Sequence, residues 1–312
     1  MHAVVLERVT KSFGDKRAVD ELDLVVPTGR IVGFIGPNGA GKTTTLRMIL
    51  SILTPDAGVV RVLGRERPTD SQDRIGYLPE ERGLYKKMRV GAFLEYVGRL
   101  KGVADGDLDR RVASWLERVG LGETRKKRCE ELSKGMQQKV QFLAAIVHEP
   151  ELLVLDEPFS GLDPVSSNLL RELVLEQHRA GRTIVFSTHQ MQQAEQLCDH
   201  VFMIHRGKKV LDASREELAA TCDDRALVVE LAEGGSIAAV EGVAAVESVT
   251  HAGRGLRVAL REGADPSAAI RDVAAATPVR RVEVVRASLE EIFLHLAGPG
   301  AQIDATPDEV AP

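Results

Sequence analysis

The sequence is poor in several features that would each indicate a particular class of protein. Only 4% of its 312 residues are aromatic, which argues against a carbohydrate platform or a surface that stacks bases. Three cysteines, Cys129, Cys198 and Cys222, contain no CxxC pair, so we expect neither a zinc site nor disulfides. No apolar run reaches the ~18–20 residues that span a bilayer, and the N-terminus does not resemble a signal peptide. We therefore expect a soluble, cytoplasmic protein.

The net charge and the length of the chain narrow the possible classes of protein further. The chain has 41 Lys and Arg against 46 Asp and Glu, a formal net charge of −5, and this mild acidity argues against a nucleic-acid partner. Hydrophobic residues make up 44% of the chain, enough for globular cores. At this length we expect one large domain and one smaller domain.

Residues 1–218 alternate strand-like apolar runs with helical patterns, which predicts an α/β domain with a mostly parallel sheet. Two of the runs are apolar throughout, as expected for strands that are buried on both faces. The stretch at about 88–149 reads as a helical subdomain inserted between strands. The strand candidates are Ala3–Val9, Leu22–Val26, Arg30–Ile35, Leu152–Asp156, Thr183–Ser187 and Val201–His205.

Residues 219–298 are rich in alanine and valine, and their elements follow the order β-α-β-β-α-β. This order predicts a small α+β accessory domain of the ferredoxin-like type. Residues 299–312 are rich in Gly, Pro and Asp, and we expect them to form a disordered tail.

The strongest motif follows the strand candidate at 30–35. Gly36-Pro-Asn-Gly-Ala-Gly-Lys42-Thr43 matches G-x-x-x-x-G-K-[ST], with a strand before it and a helix after it. Glycine N–H groups can form an anion nest around a triphosphate, lysine can reach the β- and γ-phosphates, and threonine can hold Mg²⁺. The motif predicts nucleotide binding through Gly36, Asn38, Gly39, Gly41, Lys42, Thr43 and Thr44.

An acidic pair ends the strand candidate at 152–156. Asp156 stands where it can orient Mg²⁺, and Glu157 stands where a carboxylate can polarise the attacking water. An apolar run that ends in Asp-Glu is usually a strand running into a solvated turn. The phosphate-loop motif upstream favours the functional interpretation.

Between these motifs, Leu132-Ser133-Lys-Gly135-Met-Gln-Gln138 resembles the signature motif of ATP-binding cassette (ABC) ATPases. Phosphate loop, signature, Walker B aspartate and a later His189 occur in that family's order, over about residues 3–215. The resemblance implies a P-loop NTPase fold and a head-to-tail homodimer around two Mg-ATP. Each ATP would lie between one subunit's phosphate loop and Ser133 and Gly135 of the other. Ser133 is also a favourable N-cap for the helix that follows.

Further roles carry over from the resemblance. Phe13 matches the aromatic residue that stacks on adenine, and His189 matches the switch histidine that contacts the γ-phosphate. Ser160-Gly-Leu-Asp163 resembles the D-loop. Glu80 stands where the family usually has a glutamine near Mg²⁺, and a carboxylate is electrostatically tolerable beside that ion. The resemblance thus implies Thr43, Glu80 and Asp156 as metal-site residues, and Glu157 and His189 as catalytic residues.

Pro79–Tyr85, the signature and the C-terminal segment Leu289-Glu-Glu-Ile-Phe293 together resemble ATP-binding subunits of two-component ABC-2 exporters, of the sodium-efflux and antibiotic-efflux kind. This narrower resemblance implies a motor subunit on the inner face of the cell membrane. It would drive a membrane-spanning permease that is a separate chain. The permease would dock around Leu84, Tyr85 and Val90–Leu100.

Two alternatives are open to the sequence. A soluble, non-transport ABC ATPase acting on the ribosome or on DNA usually carries two cassettes, zinc modules or long coiled coils, and this chain has one cassette and neither insertion. A metabolic kinase with a phosphate loop would leave the signature and His189 unexplained. The sequence therefore favours the export motor.

Overall fold

The computed structural model describes residues 1–66, 68–81, 83–221, 226–252, 255–261, 263–285 and 288–297. The chain forms two compact units that divide between Asp212 and Ala213, and each is described by itself. Cys222 and the tail that we expect to be disordered, residues 299–312, lie outside the described residues. No helix of the described part combines the length and the apolar character needed to cross a membrane.

The central sheet of the first unit has six strands in the order β5-β6-β7-β3-β8-β9. The first five pair in parallel, and β9 follows β8 through a two-residue turn. Every residue of β3, β6 and β7 is buried, which explains why these strands have no polar-apolar alternation. Their carboxyl ends meet at one edge of the sheet. The strands are β3 (Ile31–Ile35), β5 (Ile75–Leu78), β6 (Leu152–Asp156), β7 (Thr183–Thr188), β8 (His200–His205) and β9 (Lys208–Ser214).

A separate antiparallel sheet has the order β2-β1-β4, with β1 at His2–Phe13, β2 at Lys16–Pro27 and β4 at Ala57–Val62. The candidates Ala3–Val9 and Leu22–Val26 therefore do not join the parallel sheet, and that expectation is wrong for them. A two-residue turn at 14–15 links β1 to β2, and a link this short permits only antiparallel pairing. β2 runs further than predicted because its first half carries exposed charged residues, which hide the apolar pattern. β1 continues through residues 10–13, three of which are polar.

Helices cover the sheets. A core cluster joins both sheets to α1. The stretch at 88–149 contains α2, α3 and α4, and α2 packs on both of the others. The helices of this unit are α1 (Lys42–Ile49), α2 (Val90–Leu100), α3 (Asp105–Arg118), α4 (Lys134–Ile146), α5 (Pro164–Arg179) and α6 (Met191–Leu197).

The second unit contains a four-stranded antiparallel sheet in the order β11-β12-β10-β13. With two helices between the strands, this is the ferredoxin-like arrangement that the sequence predicts. Its core includes Leu227, Val229, Val258 and Val273. The elements are α7 (Arg215–Thr221), β10 (Ala226–Leu231), α8 (Ile237–Glu241), β11 (Val246–Ala252), β12 (Gly255–Leu260), α9 (Pro266–Ala276), β13 (Val279–Val285) and α10 (Leu289–Ala297).

Candidate nucleotide-binding and hydrolysis site

The phosphate loop connects the end of β3 to the first residue of α1. Gly41 precedes the helix with φ at 113°, and a Cβ there would lie 2.5 Å from the Ala18 carbonyl oxygen, so only glycine fits. No side chain caps the N-terminus of α1. Its first N–H groups therefore remain available for an anion, and the helix dipole favours one.

Lys42 places its ammonium group inside this loop. Its Nζ donates hydrogen bonds to the carbonyl oxygens of Gly36, at 2.7 Å, and Pro37, at 3.2 Å. The same atom lies 3.7 Å from Glu157 Oε1. Burial lowers the pKa of Lys42, and the carboxylates of Glu157 and Asp156 oppose this shift. Lys42 is thus held by two carbonyl groups of its own loop and by the Glu157 carboxylate. A bound phosphate could take the place of these three partners.

Asp156 ends β6 and is only 1% exposed. Its Oδ1 accepts hydrogen bonds from the Ser187 hydroxyl and from Thr43 Oγ1, the latter at 3.3 Å. Its Oδ2 is buried and has no hydrogen-bond partner in the described part of the chain. Burial raises the pKa of Asp156, and the two hydroxyl groups oppose the shift. A hydroxyl oxygen beside an unpaired carboxylate oxygen suits Mg²⁺, which prefers hard oxygen ligands.

Glu157 follows at once, with φ at 47°, a left-handed conformation that is strained for this residue. Its N–H donates to Ser187, with the carbonyl oxygen at 3.2 Å and the hydroxyl oxygen at 3.1 Å. Glu157 Oε1 lies 2.9 Å from Nδ1 of His189, the residue that directly follows β7. Because an ionised carboxylate can only accept, Nδ1 carries the proton in this pair. The parallel arrangement of β6 and β7 thus brings these two side chains together.

A cavity of about 300 Å³ opens in front of these groups. Phe13 stands at its mouth with 51% of its surface exposed, as a stacking residue requires. Of the predicted site residues, the cavity is lined by Phe13, Asn38, Gly39, Gly41, Lys42, Thr43, Thr44, Glu80 and Glu157. Gly36 holds Lys42 from the loop, while Asp156 and His189 contact Thr43 and Glu157 respectively.

Glu80 adds a second carboxylate to the lining of the cavity, beside Glu157. Its pKa is raised, first by burial and then by repulsion from Asp156 and Glu157, whereas Lys42 lowers it. Within the described residues, no group of three or more His, Cys, Asp or Glu side chains could hold a metal ion by itself. Mg²⁺ typically takes one or two carboxylates together with substrate phosphates, so these oxygens are compatible with a metal that arrives with nucleotide.

The signature residues lie elsewhere. Ser133 caps α4, its hydroxyl accepting from the Met136 N–H at 3.3 Å, and it is exposed. A Cβ on Gly135 would lie 3.5 Å from Ser166 Oγ and 3.8 Å from Asp163 Oδ2, so the signature packs beside the 160–163 loop. The structure therefore does not bring Ser133 and Gly135 into the cavity that contains Lys42.

Three residues of the site escaped the sequence analysis. Ser187 holds both Asp156 and Glu157, and its sequence signal is weak because Thr183 and Thr188 are further polar residues of the same strand. Gln138 and Gln141 on α4 reach the loops that carry Glu157 and Glu80. α4 contains three glutamines, and nothing in the sequence distinguishes the two that reach these loops from Gln137.

Comparisons with known proteins agree with this geometry. The family described as ABC transporter matches residues 19–160, and the family described as ATP-binding protein DrrA1-3-like, C-terminal domain, matches residues 214–297. An uncharacterized ABC transporter ATP-binding protein of Alkalihalophilus pseudofirmus is 41% identical over 85% of this chain and 98% of its own length. The chain belongs to the ABC transporter ATP-binding proteins.

Two further similarities extend this result. The daunorubicin/doxorubicin resistance ATP-binding protein DrrA of Streptomyces peucetius is 32% identical over 99% of this ABC protein and 96% of its own length. A solved ATP-binding subunit of an ABC transporter superposes with a TM-score of 0.66 at 28% identity, covering 70% of this chain and 92% of that one. The predicted family, its resemblance to ABC-2 exporter subunits and the P-loop NTPase fold are confirmed, whereas the roles of individual site residues stay predictions.

Proposed function

We propose that this ABC protein is the ATP-hydrolysing motor subunit of an export system. It works as a head-to-tail dimer around two Mg-ATP and drives a separate membrane permease. The observation that carries the proposal is the division of the site. The residues of one part are Lys42, Asp156, Glu157 and His189. The other part is the N-terminus of the signature helix α4, which does not line the cavity of the phosphate loop. A second copy of the chain would complete both.

The residues of the cavity divide the work of binding. Phe13 stacks on adenine, Lys42 neutralises the β- and γ-phosphates, and the α1 N-terminus donates its free N–H groups. Thr43, Glu80 and Asp156 would hold Mg²⁺, which when bound neutralises charge on the phosphate oxygens. The unpaired Asp156 Oδ2 supports this assignment.

Glu157 accepts a proton from the attacking water as the water adds to the γ-phosphorus and the bond to the leaving oxygen breaks. The backbone bonds to Ser187 fix Glu157, and His189 Nδ1 holds its carboxylate until nucleotide is bound. His189 of the same chain and Ser133 of the second copy then contact the γ-phosphate. In this proposal residues 1–218 carry the ATPase and residues 219–298 form the accessory domain.

A groove of about 330 Å³ is a candidate docking site for the permease. Tyr85 makes edge-on contacts with Phe93 and Tyr96, at centroid distances of 6.0 and 5.9 Å, and 55% of Tyr85 is exposed. Leu100 and Ile52 add exposed apolar surface along the same groove. Clustered exposed aromatic and aliphatic side chains are typical of an interaction site, and we assign this groove to a cytoplasmic segment of the permease.

The test is an affinity pull-down of tagged Glu157→Gln with Mg-ATP from mildly solubilised native membranes. We expect a stoichiometric polytopic membrane protein, identified by mass spectrometry. The matched control is the double variant with Glu157→Gln and Tyr85→Asp. It should still bind ATP but should no longer recover the membrane protein. Recovery of only ribosomal or DNA-associated proteins would contradict the export function and favour the non-transport alternative.

A further inference from the structure

Helix α4 carries two buried glutamines one turn apart. Gln138 is 4% exposed and Gln141 is 5% exposed. At a spacing of three residues they lie on the same side of the helix. Both amides donate to backbone carbonyl groups that are far away in sequence, and each reaches a different loop of the candidate ATPase site.

The two loops carry different carboxylates. Gln138 Nε2 donates to the Pro158 carbonyl oxygen at 3.1 Å, directly after Glu157. Gln141 Nε2 donates to the carbonyl oxygens of Pro79, at 3.4 Å, and Glu81, at 3.1 Å. Gln141 therefore binds the carbonyl groups of the two residues that flank Glu80.

Glu80 needs such a restraint. It lines the cavity with Lys42 and Glu157, and the carboxylates of Asp156 and Glu157 repel it. Without nucleotide, repulsion from both acids favours a loop conformation that moves Glu80 away from them, whereas Lys42 attracts Glu80. Two hydrogen bonds to the flanking carbonyl groups oppose that movement.

The chemistry of Gln141 is unfavourable for stability alone. Its Oε1 is buried and has no hydrogen-bond partner among the residues that the structure describes. An apolar side chain of similar size would remove this unpaired acceptor, whose burial is unfavourable. Gln141 and Pro79 also line the aromatic groove, so an occupant of the groove lies against the residue that holds the Glu80 loop.

We propose that Gln141 is a positioning residue that holds Glu80 toward the metal side of the cavity and thereby strengthens binding of the divalent cation that accompanies ATP. This inference rests on the proposed function. Gln138 makes the matching contact with the Glu157 loop. The signature helix thus supports the two carboxylate loops through separate contacts.

The experiment measures Mn²⁺ binding in the presence of a non-hydrolysable ATP analogue, from the electron paramagnetic resonance signal of free Mn²⁺. Gln141→Met keeps the length of the side chain and removes its donors. We expect the dissociation constant for Mn²⁺ to rise about two- to tenfold, the equivalent of one hydrogen bond. Gln137→Met, the same change at a neighbouring position whose amide donates to the carbonyl oxygens of Cys129 and Leu132, should bind Mn²⁺ as the wild type does. If Gln141→Met does not fold, Gln141→Leu is measured in its place.

A double-mutant cycle separates positioning from general loosening. Glu80→Ala should weaken Mn²⁺ binding, and adding Gln141→Met to it should weaken binding no further. Wild-type binding by Gln141→Met, equal weakening by both methionine variants, or additive effects in the cycle would each overturn the inference. If the wild-type protein binds neither analogue nor Mn²⁺, the proposed function itself fails, and the inference fails with it.

Discussion

Two helix N-termini of this protein face the same kind of ligand in the proposal, and they are built differently. α1 begins after a left-handed glycine, has no side-chain cap and carries the buried Lys42. α4 begins after Ser133, whose hydroxyl already accepts from the helix, and its start is exposed. The first end is left open and is surrounded by charged groups, whereas the second is a complete cap. In the proposal only the first would bind nucleotide alone, and the second would gain a ligand when another subunit supplies one.

The largest effect should come from removing the carboxylate beside α1. Glu157→Gln should bind ATP, hydrolyse it about 10²–10⁴-fold more slowly and accumulate as a dimer, because the water loses its proton acceptor. Phosphate release, nucleotide binding and size-exclusion chromatography measure the three properties. Glu151→Gln is the matched control, since Glu151 precedes the same strand and only pairs with Arg74 at the surface. A Glu157→Gln protein that stays monomeric at saturating Mg-ATP would contradict the dimer.

A second comparison replaces the glycine at the N-terminus of α1, Gly41, and the glycine at the N-terminus of α4, Gly135. Gly41→Ala forces a Cβ against the Ala18 carbonyl group at a left-handed φ and should cost about 1–3 kcal/mol of stability together with most ATP binding. Gly135→Ala meets no atom closer than 3.5 Å, so the unfolding free energy and monomer ATP binding should stay near wild type. Its turnover should nevertheless fall, because the added methyl group would approach the second subunit's phosphate. Equal behaviour of the two variants in thermal melts and ATP titrations would contradict the difference between the sites.

A smaller effect is expected at the cap itself. Ser133→Ala removes the hydroxyl that accepts from Met136 and should lower the unfolding free energy by about 1 kcal/mol. ATP affinity of the isolated subunit should not change, since Ser133 lies outside its cavity. Denaturant unfolding and nucleotide titration of the same preparation check both statements. A loss of monomer affinity would place Ser133 in its own subunit's site and contradict the account.

The smallest effect concerns Glu80. Its raised pKa means that the folded state holds this proton more tightly than the unfolded chain, so ionised Glu80 destabilises the fold at neutral pH and the penalty disappears as the pH falls. Glu80→Gln should melt about 1–2 °C higher than wild type at pH 7 without nucleotide, and the difference should shrink through the carboxyl range. It should retain most ATPase activity because an amide oxygen remains in place. A collapse of turnover would show that the charge is required.

The sequence predicts what is local and continuous in the chain. The buried strands β6 and β7 are apolar runs, and the phosphate loop is one contiguous motif, so both can be recognised without a structure. Contacts between distant segments have no such signal. The bond from Gln141 to Glu81 joins residues 60 positions apart, and the bond from Ser187 to Asp156 exists because two parallel strands end side by side. The pairing of β1 with β4 has no such signal either, because it joins residues as distant as Val4 and Val62. The β1–β2 hairpin is local, and the short turn at 14–15 is a signal that the composition does not reveal.

The central claim is that each ATP site is completed by a second copy of the chain, and mixing two inactive variants tests it most directly. Lys42→Ala disables the α1 end. Ser133→Glu disables the α4 end by repelling phosphate, while an acidic residue at a helix N-terminus leaves the fold intact. Each variant alone should be inactive, and a mixed dimer contains one site with both ends intact. The account predicts ATPase activity in the mixture well above the sum of the two variants alone, and activity equal to that sum would contradict it.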